Sequence, residues 1–446
     1  MTSWLRIAVA AAIAFASVFF ASRPAHAFPW MIREGYTGCN TCHADPSGAG
    51  ILTQYGRGME EVVLRMPYKK DADPGKMGNF LFGAVDLPEQ LLLQTDFRNL
   101  FMTILPNGGA AQFQDILMQL DQSAQLKVGR FRVNGSIGYA PPTANINSNF
   151  TFRGGGFGAT LTGAPSDAGA IVARQYWLGF DIGKDEEFLL RIGRMNVPYG
   201  IRSIEHPFLV RSVTRTDTNT SQQHGLTLSY SGEKFRGEVM AILGNYAIHG
   251  QAPAGQPQTF ATYDSPHERG ASAFFEWMPS NKVAVGASGL ATYANLARTD
   301  LDPSLNSDQL GRYAFALHGR IAPVKSVVIL AEADALVNSQ PFTQDCPTCQ
   351  SHANNHFGMA GLLQVDLEPY QGIHIMATGE VFNGHIHETN NPTYDTTTVV
   401  GWIGAWWFFA PHFDFRVDAV YSSGSAPGAS PTAQGTSLLA QIHGYL

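Results

Sequence analysis

The feature that most constrains this chain is a period-two alternation that recurs in short segments from Gln90 to the end. In Phe413-Asp414-Phe415-Arg416-Val417-Asp418-Ala419 every odd residue is apolar and every even one charged. In Val327 to Ala335 the odd positions are Val, Ile and Ala, while Glu332 and Asp334 take the other parity. In Ile373 to Val381 the odd positions are apolar or Gly, and His374, Thr378 and Glu380 face away. An extended strand places successive side chains on opposite faces, so each segment has one apolar and one polar face. A soluble sandwich would turn the apolar face inward. A membrane barrel turns it to lipid and keeps the charges in its lumen.

The connections decide between the two. Tight turns fall at Val128-Gly129-Arg130, Lys184 to Glu187, Gly232-Glu233-Lys234, Pro279 to Lys282, Pro323 to Ser326, Pro369 to Gly372 and Pro411-His412. Between them run long polar stretches, at 141–169, 197–219, 245–268, 294–310, 338–355, 384–395 and 422–434. Short and long connections in strict alternation are the pattern of outer-membrane barrels, and Greek-key sandwiches have no reason to keep it. Eight hairpins give about sixteen antiparallel strands, and residues 90–446 allow roughly 22 residues for each strand with its connection. Only 15% of residues are charged, against about 25% in ordinary globular chains. After the N-terminal segment no run of eighteen apolar residues suggests a membrane helix.

The expected lumen residues are Asp96, Arg98, Asp121, Asp181, Arg191, Glu238, Glu276, His318, Arg320, Glu332, Asp334, Asp366, His374, Glu380, Asp414, Arg416 and Asp418. Their mixed signs suggest paired charges rather than an ion filter. Trp177, Tyr199, Trp277, Tyr293, Trp402, Trp406, Trp407, Phe408 and Phe409 lie near strand ends, where interfacial aromatic girdles belong.

The first 27 residues read as a secretory signal: Arg6, an apolar stretch from Ile7 to Ala21, and a small-x-small site at Ala25-His26-Ala27. The mature chain is expected to begin at Phe28. Loss of Arg6 and Arg23 takes the formal charge from -7 to -9, which gives no support for nucleic-acid binding.

Between the signal and the barrel, residues 28–85 hold the run Cys39-Asn40-Thr41-Cys42-His43. Two thiols three positions apart can add to the two vinyl groups on one edge of a haem, and the adjacent His can bind the iron from the proximal side. The expectation is one covalent haem c on Cys39, Cys42 and His43. A helix is expected from Ile51 to Met66, with Leu52, Tyr55, Met59 and Val62 or Val63 on one face. Met59 is the first choice for the distal iron ligand, with Met31, Met66 or a His from elsewhere as alternatives. A module of about 55 residues buries little core unaided. The haem and the rest of the protein must supply most of its apolar contact.

A second pair, Cys346-Pro347-Thr348-Cys349-Gln350, lacks the His and reads as a loop disulfide. His385-Ile386-His387-Glu388 is a possible surface metal cluster. Nothing in the chain suggests a catalytic carboxylate pair, a nucleophile triad or a phosphate loop.

Signal, C-x-x-C-H module and barrel together resemble the fused monohaem cytochrome c–porin family of bacterial outer membranes, which includes iron(II) oxidases. The motif-level likeness rests on Gly38-Cys39-Asn40-Thr41-Cys42-His43-Ala44 and Tyr55-Gly56-Arg57-Gly58. Separately, Arg191 to Gly200 (RIGRMNVPYG) is similar to a segment of phosphate-selective-type porins. The resemblance implies an all-β barrel plugged by the haem module. It also implies transfer of electrons between an extracellular donor or acceptor, with iron a candidate, and a periplasmic carrier such as a soluble cytochrome. The competing expectations are a diffusion porin with the module as a structural plug, and a haem enzyme or gas sensor with an open iron position.

Overall fold

A computed structural model describes residues 28–36, 38–48, 50–67, 80–106, 110–139, 171–203, 208–218, 221–244, 262–263, 268–297, 309–338, 356–386, 394–425 and 435–446. The barrel begins with β1 (Leu91–Pro106), β2 (Gln112–Val128), β3 (Phe131–Tyr139), the two-residue β4 (Ile171–Val172), β5 (Tyr176–Ile182) and β6 (Phe188–Met195). It continues with β7 (Gln223–Ser231), β8 (Phe235–Gly244), the two-residue β9 (Thr262–Tyr263), β10 (Arg269–Ser280), β11 (Val283–Ala297) and β12 (Gln309–Val324). The last six strands are β13 (Val327–Asn338), β14 (His356–Tyr370), β15 (Ile373–Ile386), β16 (Tyr394–Ala410), β17 (Phe413–Ser425) and β18 (Gly435–Tyr445). Setting aside β4 and β9, these form a closed sixteen-stranded antiparallel barrel. Closure comes from β1 pairing with β18 over Asp96–Pro106 and Gly435–Tyr445. No described helix is long and apolar enough to cross a membrane.

The parity expected from the sequence holds along the walls. In β13 the odd residues Ala331, Ala333 and Ala335 are exposed, while Glu332 and Asp334 are buried. Every residue expected in the lumen is buried apart from Arg98, which is partly buried. The turns expected at one end are found there, at Gly129-Arg130, Asn281-Lys282, Lys325-Ser326, Gln371-Gly372 and Pro411-His412 among others. The connection from β1 to β2, residues 107–111, is shorter than the other long connections.

The aromatic girdle needs correction. Trp277, Tyr293 and Trp407 face outward, but Trp177, Tyr199, Trp402, Trp406 and Phe408 are buried inside. Parity explains the split: on β16, Trp402, Trp406 and Phe408 share the even, inward register and Trp407 takes the odd, outward one.

The segment 197–219 also departs from expectation. Instead of an outer loop, its described part folds into the lumen. There Leu209–Thr214 forms a short helix that buries Leu209, Val210 and Val213. Wall carboxylates hold it: Ile201 N–H donates to Glu332 Oε2 at 2.6 Å, Tyr199 OH to Asp334 Oδ1 at 2.9 Å, and Val210 N–H to Glu380 Oε2 at 3.1 Å. Arg211 pairs with Glu332 as well. Gly200 has φ +59°, and a Cβ there would meet Glu332 and Arg211, so only glycine makes this bend.

Ile403 lies near the middle of β16 and is 62% exposed on the outer face. Ile403→Arg is therefore expected to cost about 2–4 kcal/mol in a bilayer, measured by denaturant unfolding in vesicles. An unchanged midpoint would contradict a lipid-facing assignment.

Candidate functional site

The attachment run is a single compact turn. His43 N–H donates to the Cys39 carbonyl at 3.0 Å, which brings Cys39, Cys42 and His43 onto one loop of backbone. The next strand of chain closes over it, with Ala44 N–H on the Ile51 carbonyl at 2.9 Å and Thr53 N–H on the Cys42 carbonyl at 2.7 Å. Thr53 then caps a helix at Gln54–Met59, its hydroxyl oxygen accepting from Gly56 N–H at 3.0 Å. Gly56 packs directly on Cys42: a Cβ would sit 2.3 Å from the Cys42 carbonyl oxygen. The expected helix over 51–66 is thus shorter, and it widens into a π-helical turn at Glu60–Leu64. Tyr55 and Val62, expected on the covering face, point outward, whereas Leu52, Met59 and Leu64 face inward with Gly56.

This module sits inside the short-turn end of the barrel. Trp30, Met31, Ile32 and Leu64 share one core with wall residues, including Met376, Trp406 and Phe408. Trp30 lies 4.3 Å from the His374 ring. Arg33 pairs with Asp366 at 2.5 Å and Glu368 at 2.9 Å. Deeper in, Arg191 on β6 joins Asp45 of the module at 2.8 Å to Glu238 of the wall at 2.7 Å. Burial alone would push the Asp45 carboxyl up, but Arg191 and Ser47 hold it below the ordinary carboxylate range. Asn196, where the inner segment begins, donates to Ser47 Oγ at 3.1 Å.

Between module and wall is a recess that both parts line. Cys42, His43, Met31 and Met59 line it from the module. Asp96 and Arg98 of β1, Gln119 of β2, and His443 and Tyr445 of β18 line it from the wall. His43 Nδ1 lies 3.1 Å from the Gly50 carbonyl oxygen. Donation of Nδ1–H to that oxygen leaves the Nε2 lone pair for a metal. Enclosure by protein pushes the His43 pKa down, so the ring stays neutral near pH 7, as a ligand must. Cys39 is buried one turn earlier, its Sγ accepting from Arg236 Nη1 at 3.1 Å. A thiol and an imidazole open onto the recess, with thioether and imidazole donors on its walls, which are the donor types a covalent haem would need.

The other candidates fall differently. Met66 is not on the recess; its sulfur accepts from the Trp407 indole N–H at 2.8 Å. His385 is exposed beside Asp395 at 2.6 Å, while His387, Glu388, Cys346 and Cys349 lie outside the described residues, as does the signal segment 1–27. His443 and Tyr445 were missed. The parity of the last strand, read from Leu439 through Gln441, would have placed both in the lumen.

No family model and no curated protein matches the chain. Solved outer-membrane channels share its fold. The DcaP channel of Acinetobacter baumannii has a TM-score of 0.53 at 11% identity, over 80% of this chain and 97% of that one. A loop-deletion mutant of OmpT, an outer membrane protein of Vibrio cholerae, scores 0.52 at 11% identity over 80% and 99%. An anion-selective porin from Comamonas acidovorans scores 0.51 at 9% identity over 80% and 99%.

Removing one partner of a buried ion cluster leaves uncompensated charge, at a cost of about 3–5 kcal/mol. Arg191→Met takes the ion-pair partner from buried Asp45, while Glu238 keeps Arg202 at 3.0 Å, and should loosen the module. Limited proteolysis of the folded protein is expected to cut within residues 28–85 far faster than in the wild type. Equal cleavage rates would remove Arg191 as the joint.

Proposed function

We propose that the protein is an outer-membrane electron conduit with one covalent haem c, passing electrons between an extracellular donor or acceptor and a periplasmic carrier. The observation that carries this reading is the C-x-x-C-H turn built into a plug, with Cys42 and His43 opening onto a recess shared with the barrel wall. A haem bound there supplies a reversible one-electron iron couple. Cys39 and Cys42 would carry the thioethers. His43 Nε2 would bind the iron, and Met59, Met31 and His443 are further donors lining the recess.

Outer-membrane barrels keep their short turns in the periplasm, so the plug faces that compartment. Tyr445 on the recess wall is 5.7 Å from His412 between ring centroids, and His412 is 5.5 Å from Phe82. Phe82, partly exposed at the foot of the plug, offers a soluble cytochrome an apolar contact close to the recess. Iron(II) is one outside donor this arrangement would serve, which would make the protein an iron(II) oxidase.

The second reading is a diffusion porin in which the module is only a plug, and the fold's likeness to porins and channels favours it. Against it, the inner segment at Leu209–Thr214 and the module occupy the lumen from two sides.

Proteoliposomes separate the two. Wild-type protein is expected to pass electrons from an outside ferrous chelate to enclosed cytochrome c, and His43→Ala to abolish the transfer. Transfer that persists in His43→Ala would refute the conduit. Wild-type conductance in planar bilayers is expected to be small and to rise when residues 28–85 are deleted. A large wild-type conductance that survives loss of haem would favour the porin.

A further inference from the structure

We infer that His443 of β18 is the sixth ligand of the haem iron, so that the barrel wall rather than the plug supplies the distal side. The inference rests on the reading of the recess as a haem site and names the ligand that reading leaves open.

Three observations converge on His443. It lines the same recess as His43, from the opposite structural unit: the plug on one side, the wall on the other. It is held for coordination, since its Nδ1 is 2.8 Å from Asp414 Oδ2. Asp414 is itself fixed by the Trp406 indole N–H at 2.7 Å. A carboxylate on the far nitrogen orients a metal-bound imidazole and raises its basicity. Finally, its Nε2 is buried and makes no hydrogen bond. The nearest charge is Asp96 Oδ1 at 3.7 Å, and Asp96 already accepts from Gln94 Nε2 at 3.0 and 3.1 Å. A buried imidazole nitrogen on the recess with no hydrogen bond, its carboxylate neighbour 3.7 Å away, is a costly arrangement unless something binds it.

The thioethers are less well placed. Met59 Sδ accepts from the Tyr36 hydroxyl at 2.8 Å, which engages one of its two lone pairs and orients the sulfur toward Tyr36. Met31 is 2% exposed and packed among Trp30, Ile32 and the wall. Ligation by His443 would also staple the plug to β18, the strand that closes the barrel on β1. Replacing a thioether by a second imidazole lowers the potential.

The test uses full-length holoprotein in detergent, with His443→Ala, Met59→Leu and Met31→Leu variants. Each sample is checked for covalent haem and for a folded, heat-modifiable barrel. Electron paramagnetic resonance and near-infrared magnetic circular dichroism of the ferric protein are expected to show bis-imidazole ligation, unchanged in both Met variants. His443→Ala should lose that signature, bind carbon monoxide readily when reduced, and recover the signature with added imidazole. If His443→Ala does not fold, the wild-type and Met-variant spectra decide alone. A thioether charge-transfer band in the wild type that either Met variant removes would overturn the assignment, as would a His443→Ala spectrum identical to wild type. Wild-type protein without covalent haem would overturn the haem reading itself, and this assignment with it.

Discussion

Closure of the sheet by the β1–β18 ladder is the constraint from which the rest of the molecule follows. Within an apolar layer every backbone N–H and C=O must find a partner, and a sheet can meet that demand only by having no edge. Once closed, a strand with an apolar outer face must turn its other parity inward. That parity carries Asp181, Arg191, Glu238, Glu276, Glu332 and Asp334, all buried. A lumen lined by that many ions is stable only if the charges are matched. Arg236 and Arg320 meet Glu276 across the wall, and Arg191 meets Glu238.

The same charges make the lumen a seat for the two segments that enter it. Glu332 and Glu380 take backbone N–H donors from the inner segment, and Arg191 and Asp366 take Asp45 and Arg33 of the module. The module has too few residues to build a core of its own. It borrows one from Met376, Trp406 and Phe408. The recess is therefore a property of neither part alone, being half plug and half wall. In the proposed function this sharing matters, because it sets the redox centre at the short-turn end and lets a residue of the closing strand reach it.

Much of this was legible in the sequence, and the failures have physical causes. Period-two parity is a local property, so the inward placement of Glu332, His374 and Asp418 could be read directly. For the aromatic residues parity outranks position near a strand end: Trp406 and Trp407 are neighbours in sequence and face opposite ways. The inner segment looks like an outer loop in the sequence because its anchors, Glu332, Asp334 and Glu380, lie more than 110 residues away. The helix after the C-x-x-C-H run is shorter than its sequence suggests, since Leu52, Tyr55, Met59 and Val62 or Val63 give plausible periodicity. The π turn at Glu60–Leu64 breaks it, and Glu60 instead accepts from His412 N–H at 3.0 Å. Cys42 and His43 were recognisable from spacing alone. His443 was not, because a lone His in a last strand acquires meaning only when the plug is set against it.

The central claim is that Cys39 to His43 carries a haem inside this barrel. Mass spectrometry of the peptide spanning Cys39–His43, taken from folded protein isolated from outer membranes, tests it most directly. The account predicts a single haem added through two thioethers, at Cys39 and Cys42. A peptide carrying a Cys39–Cys42 disulfide or two free thiols would contradict it.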